Sequence, residues 1–141
     1  MQNKFPIDSM PPLVREFAQY KLTIQSCSSK TVDEYLSDLR LFFKYIYAKR
    51  NSIALFSDFF EKLDISRLDT EFICSVSTEE IYDFFFYVSN ERRNGTCARS
   101  RKLSAIKSFY KYICQKKRIL DKNPAIDVEG PKKKQTLPKH L

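Results

Sequence analysis

The chain has 141 residues, a formal net charge of +8, 43% hydrophobic residues and only 2 glycines. That length suits one domain with a real core, and that hydrophobic content excludes a disordered chain. Apolar runs such as "DFFFYV" are far shorter than a membrane span and the opening "MQNKFPIDSMPP" is no signal peptide, so the expectation is a cytoplasmic protein with no membrane partner.

Few glycines and no long β-branched alternation point to an all-α fold. Pro11 and Pro12 suit a first helical turn with Ser9 as a cap, and Leu13, Phe17, Tyr20 and Ile24 then recur at helical spacing. The first helix is expected over about 11–25. The second is expected over 29–50, where Val32, Tyr35, Leu36, Leu39, Phe42, Phe43 and Ile46 form one apolar face. Ser29 or Thr31 can cap it, and "TVDE" fits a capping box.

Residues 51–76 lack clear periodicity. Ile53, Phe56, Phe60 and Leu63 can form a short helix inside a long connection over the core. "STEE" at 77–80 is a capping box opening a third helix over about 78–92, with Ile81, Phe84, Phe85 and Val88 facing inward. Asn94-Gly95 marks a turn, Thr96 can cap, and a fourth helix runs to about 117. Beyond it, "KNPAIDVEGPKKKQTLPKHL" reads as a tether. The expected division is a domain over 1–120 and a basic linker over 121–141.

The charge gathers on the fourth helix. Leu103, Ile106, Tyr110 and Ile113 share one side; Ser100, Ser104, Lys107 and Lys111 form an adjoining stripe, widened by Arg101 and Ser108. No acid occurs between Glu91 and Asp121. Exposed helix faces usually balance lysines with acids a turn away, so an acid-free stripe favours nucleic acid over a merely solvated face. The second helix carries Asp33, Glu34 and Asp38 as well as Lys30, Arg40 and Lys44, and alone reads as ordinary. "PKKK" at 131–134 fits a phosphate-contacting tether, a targeting patch or a solubilising linker equally well.

Cys27, Cys74, Cys97 and Cys114 have no paired spacing and His140 is the sole histidine, so the cysteines read as small core residues and no metal or other cofactor is expected. Nearly all aromatics fall on apolar helix faces, which favours core packing over base stacking.

Taken together, "SSKTVDEYLSDLRLFFKY", "STEEIYDFFFYV", "RSRKLSAIKSFYKYI", "KNPA", "PKKK" and "LPKHL", in that order, resemble the N-terminal core-binding domain of tyrosine recombinases, the phage integrases and Xer-type enzymes. Thr31, Tyr35, Asp38, Leu39 and Phe42 match the family's second helix. Arg101, Leu103, Ser104, Ala105, Lys107, Phe109 and Tyr110 match its last helix, and Asn123-Pro124, Pro131-Lys132 and Leu137-Pro138 its exit segment. Residues 51–76 are longer than the family's usual connection.

The resemblance implies a four-helix, SAM-like bundle that clamps one side of double-stranded DNA through its second and fourth helices. The candidate contacts are then Lys30, Thr31, Tyr35, Arg40 and Lys44, with Arg99, Ser100, Arg101, Lys102, Ser104, Lys107 and Lys111. It further implies a catalytic domain, carrying a tyrosine nucleophile and its Arg, Lys and His partners, that lies beyond this chain. The chain would be an excised domain or a shortened reading frame, without chemistry of its own and monomeric in isolation. Full-length members assemble with other protomers on DNA. The alternative, from the residues alone, is a helical protein-interaction module with a basic surface.

Overall fold

The computed structural model describes residues 6–90, 92 and 95–130. Asn94, the "PKKK" run, Leu137-Pro138 and His140 lie outside them. The fold is all-helical, with no strand among the described residues. Helices α1 (Pro12–Gln19), α2 (Ser29–Arg50), α5 (Thr78–Asn90) and α6 (Thr96–Gln115) are the four expected. Two short helices, α3 (Asp58–Glu61) and α4 (Thr70–Cys74), fall in the long connection.

Pro12 opens α1 at a position where its missing N–H costs nothing. Ser9 does not cap the helix; its hydroxyl donates to the Pro6 carbonyl at 2.6 Å. After Gln19 the chain continues as a π turn over Tyr20–Ile24, where the Gln25 N–H donates to the Tyr20 carbonyl at 3.1 Å. Five-residue bonding shifts the register of the apolar face, so Ile24, expected inside, is exposed. Ser28, rather than Ser29 or Thr31, caps α2 by accepting from the Thr31 N–H at 3.1 Å. The capping box at α5 closes both ways: the Ser77 N–H donates to Glu80 and the Glu80 N–H donates to Ser77 Oγ. Gly95 precedes α6, and no side chain caps it.

The apolar faces of α2 and α6 meet. Val32, Leu36, Leu39, Phe42, Phe43 and Ile46 are buried on α2, as are Leu103, Ile106, Phe109, Tyr110 and Ile113 on α6. On α5, Tyr87 joins Ile81, Phe84 and Val88 inside, and Phe85 packs at the margin. Edge-to-face rings tie the four helices into one cluster: Phe17–Phe109 at 5.4 Å, Phe43–Phe109 at 5.8 Å and Phe42–Phe84 at 5.1 Å. The Tyr110 hydroxyl donates to the Ile73 carbonyl at 2.8 Å, and burial holds its phenol well above the ordinary pKa.

The 51–76 connection does lie over the core, burying Phe60, Ile65, Ile73 and Val76. Ser57 caps α3 and Asp69 caps α4. Phe56 stands 81% exposed rather than on a helix face. The Arg50 fork takes both Glu80 oxygens, at 2.7 and 2.8 Å, which raises the arginine and lowers the carboxyl from their ordinary pKa values. Asn123 closes a turn by accepting from the Ala125 N–H at 2.8 Å, and Thr78 donates to the Pro124 carbonyl at 2.7 Å. The described part of the segment read as a tether thereby places Ala125 and Val128 in the core.

Cys97 is exposed, and Cys27, Cys74 and Cys114 are half-buried rather than core residues. Among the described residues no helix is long and apolar enough to cross a membrane.

Phe42 touches the rings of both Phe43 and Phe84 and is fully buried. Phe42→Ala should lower stability by about 3–5 kcal/mol, read from chemical denaturation. An unfolding midpoint equal to the parent's would show that this face of α2 is not the centre of the core.

Candidate nucleic-acid interface

Burial of Leu103, Ile106, Tyr110 and Ile113 fixes which side of α6 faces outward. Cys97, Arg101, Ser104, Ser108, Lys111 and Gln115 follow one another at three- and four-residue steps and form the outer ridge. Of these only Ser108 is half-buried; the others are exposed. Ser100 and Lys107, also half-buried, flank the ridge.

The acid-free helix takes a close counter-ion from α2. Asp38 is 2% exposed, and its carboxylate accepts from Arg101 Nε at 2.9 Å and Nη2 at 3.0 Å. Lys102 Nζ lies 3.4 Å from the same carboxylate, with its side chain 8% exposed. The Arg101 side chain is 43% exposed. The hydrogen bond to Asp38 raises the Arg101 pKa, and Glu34, a turn earlier on α2, adds to that field. Arg101 and Lys102 thus share the Asp38 carboxylate. Asp38 occupies the Nε–Nη2 edge of the guanidinium, and the Nη1–Nη2 end is left for another acceptor.

Thr31 and Tyr35 share the Asp38 side of α2 by helical spacing. Thr31 Oγ1 accepts from Ser28 at 3.0 Å. Burial, then Cys27 and Asp38, raises the Tyr35 phenol. Lys30 is exposed.

Four other candidates stand apart from this surface. Arg40 donates to Ser9 Oγ at 2.7 Å, and burial lowers its pKa. Lys44 is buried; it donates to the Glu61 carbonyl at 2.7 Å, over the Phe60 ring, and burial lowers its pKa. Both line a small cleft with Leu63, Asp64 and Ile65 of the 51–76 connection. Arg99 donates to Ser89 at 3.1 Å, with a buried Nε that has no hydrogen-bond partner among the described residues. Lys102, expected on the basic face, points under it to Asp38.

Sequence reasoning did not single out two residues that shape the surface. Asp38 stood out only as one acid of the second helix and a match to the family's pattern there. Lys21 gave no signal, because its surroundings come from two helices: its ammonium lies 5.6 Å from the Phe17 ring of α1 and 5.8 Å from the Tyr35 ring of α2.

No family model matches the chain, and no solved structure matches it significantly. Curated proteins do. The tyrosine recombinase XerC of Caldanaerobacter subterraneus is 37% identical over 86% of this chain and 34% of its own length. The XerC of Myxococcus xanthus is 31% identical over 94% of this chain and 37% of its own length. The XerD of Listeria monocytogenes is 26% identical over 94% and 38% respectively. This chain thus spans little more than a third of these relatives, and it matches their N-terminal region.

The buried pair makes its own prediction. Asp38→Asn leaves the Lys102 ammonium enclosed without an anion and should cost about 3–5 kcal/mol in denaturant unfolding. Adding Lys102→Met should recover part of that loss, because the stranded charge is gone. If the double variant is less stable than Asp38→Asn alone, Lys102 does not depend on Asp38.

Proposed function

The chain is a homologue of the Xer-type tyrosine recombinases over most of its length, and from that premise we propose that it binds duplex DNA as the core-binding domain of such an enzyme. One observation carries the reading: α6 presents an acid-free ridge of Arg101, Ser104 and Lys111, edged by Lys107 and braced from beneath by Asp38. A helix of this kind fits the major groove. Its lysines meet phosphates, and its small serines allow close approach and donate to phosphates or base edges. The open Nη1–Nη2 end of Arg101 suits the paired acceptors of guanine. From α2 come Lys30, Thr31 and Tyr35. Arg40, Lys44, Arg99 and Lys102 are left out, because their polar heads are held within the domain.

Strand transfer belongs, in this reading, to the part of the longer relatives that this chain does not span. Burial raises the phenols of Tyr35, Tyr45, Tyr110 and Tyr112, the opposite of what an activated nucleophile needs. The setting is cytoplasmic, the partner is recombination-site DNA, and other protomers join when the whole enzyme assembles on it. The chain alone is a monomer.

A protein-interaction module is the second reading, and one observation favours it. Phe56, Phe59 and Phe86 are exposed, and Phe86 borders an open cleft of about 490 Å³ with Tyr45, Leu55 and Tyr87. A module of that kind would show no salt-dependent binding of duplex DNA.

Duplex affinity measured at several salt concentrations separates the two. Non-specific binding near physiological salt is on the order of 10⁻⁴ to 10⁻⁶ M, and a half-clamp should fall near that range. Lys107→Ala and Lys111→Ala should each weaken binding and lower the log–log salt slope by about 1, with thermal stability unchanged. Lys62→Ala, an exposed lysine just after α3, should have little effect. Equal losses at all three positions would mean that net charge alone draws DNA. Supercoiled plasmid should be neither nicked nor covalently captured; a tyrosyl–phosphate adduct would overturn the assignment of chemistry elsewhere.

A further inference from the structure

The π turn at Tyr20–Ile24 and the C-terminal half of α6 enclose a cleft of about 130 Å³. Lys21, Lys111 and Lys116 line it, together with Gln25, Ser108 and Tyr112. No carboxylate is among its lining residues. Glu16, which does not line the cleft, is paired with Lys117, and both act on the Tyr112 phenol. Three lysines therefore line one concavity that has no carboxylate among its described lining residues. A concavity lined by lysines and lacking carboxylates suits a polyanion.

Lys21 is the most constrained of the three. Its ammonium donates to Gln25 Oε1 at 2.7 Å and stands over the Phe17 and Tyr35 rings. Both ring contacts orient the cation without neutralising it, and an ammonium has three donors, so two remain. The π turn contributes directly: Lys21 and Gln25 both belong to the widened segment or its end, where the Gln25 N–H bonds to Tyr20. Ser108 and Lys111 are shared with the α6 ridge, so the cleft adjoins the C-terminal end of that ridge, with Lys116 just past the helix.

We propose that this cleft seats a backbone phosphate of the bound duplex, with Lys21, Lys111 and Lys116 as its cations and Ser108 as a hydroxyl donor. The inference rests on the DNA-binding reading and extends the contact surface to a third element, the end of the first helix. It makes Lys21 a phosphate contact that fixes the register of α6 on the DNA without reading sequence.

The test measures duplex affinity across a salt series for the whole chain and for Lys21→Gln, Lys116→Gln and their combination, with Lys122→Gln as an exposed control of equal charge. Each cleft substitution should weaken binding several-fold on specific and random duplex alike, and lower the log–log slope by about 1. Lys122→Gln should leave both unchanged. Lys21→Gln gives up two ring contacts, so thermal unfolding is followed in parallel, and Lys116→Gln, exposed and without such contacts, carries the result if Lys21→Gln unfolds. If the parent binds with a steep salt slope but the cleft variants behave like Lys122→Gln, the cleft inference falls and the DNA reading stands. A parent that shows no salt-dependent binding overturns both. Inorganic phosphate, titrated alone, should bind only weakly; saturation at low concentration, lost in Lys116→Gln while duplex affinity is retained, would make the cleft a free-anion site and overturn the proposal.

Discussion

One buried carboxylate, Asp38, decides how α6 is presented. A carboxylate this enclosed is tolerable only when paired, and both of its cations come from α6. The rings between the helices are forgiving by comparison, because edge-to-face contacts tolerate wide variation in angle. A two-pronged guanidinium–carboxylate pair does not, so it fixes the rotation of α6 on α2. Once Arg101 and Lys102 are turned toward α2, Ser104 and Lys111 are left on the outer ridge, and the C-terminal half of the helix faces the π turn. The basic surface and the cleft beside it both follow from that rotation.

The distribution of charge matters more than its sum. Arg40 and Lys44 contribute to the net charge of +8, yet their heads are held by Ser9 and by the Glu61 carbonyl on the side of α2 covered by the 51–76 connection. Lys102 is spent on Asp38. Arg101, Lys107 and Lys111 of α6 lie on the side where Lys21 and Lys116 line the adjoining cleft, while Phe56, Phe59 and Phe86 are exposed around the second half of α2 and α5. A charged surface suited to a polyanion and an apolar surface suited to protein contact are thus built from different residues.

The parts of this fold that could be read from sequence are those written in local spacing. Helix α2 runs over Ser29–Arg50 as its apolar face required, and the Ser77–Glu80 capping box opens α5. Reading failed where the cause is not local. Helices α3 and α4 have four and five residues, too few for a period to show, and only the caps Ser57 and Asp69 mark them. The register shift at Ile24 comes from a π turn, which has no sequence signature. Arg101 was legible as a cation on the outward side, but not as half of a pair formed across 63 positions in sequence. The Lys21 cleft was illegible for the same reason: its walls come from α6 and from the end of the first helix.

The most direct test is an amide-resolved NMR titration of the chain with duplex DNA. The shifts should concentrate at Ser100–Lys111 on α6, at Lys21–Gln25 and at the Lys30–Asp38 side of α2, and they should spare Tyr82 and Phe86 on the outer side of α5. Shifts centred on Phe56, Phe59 and Phe86, or spread evenly over every exposed lysine, would contradict a DNA-binding face set by Asp38 and α6.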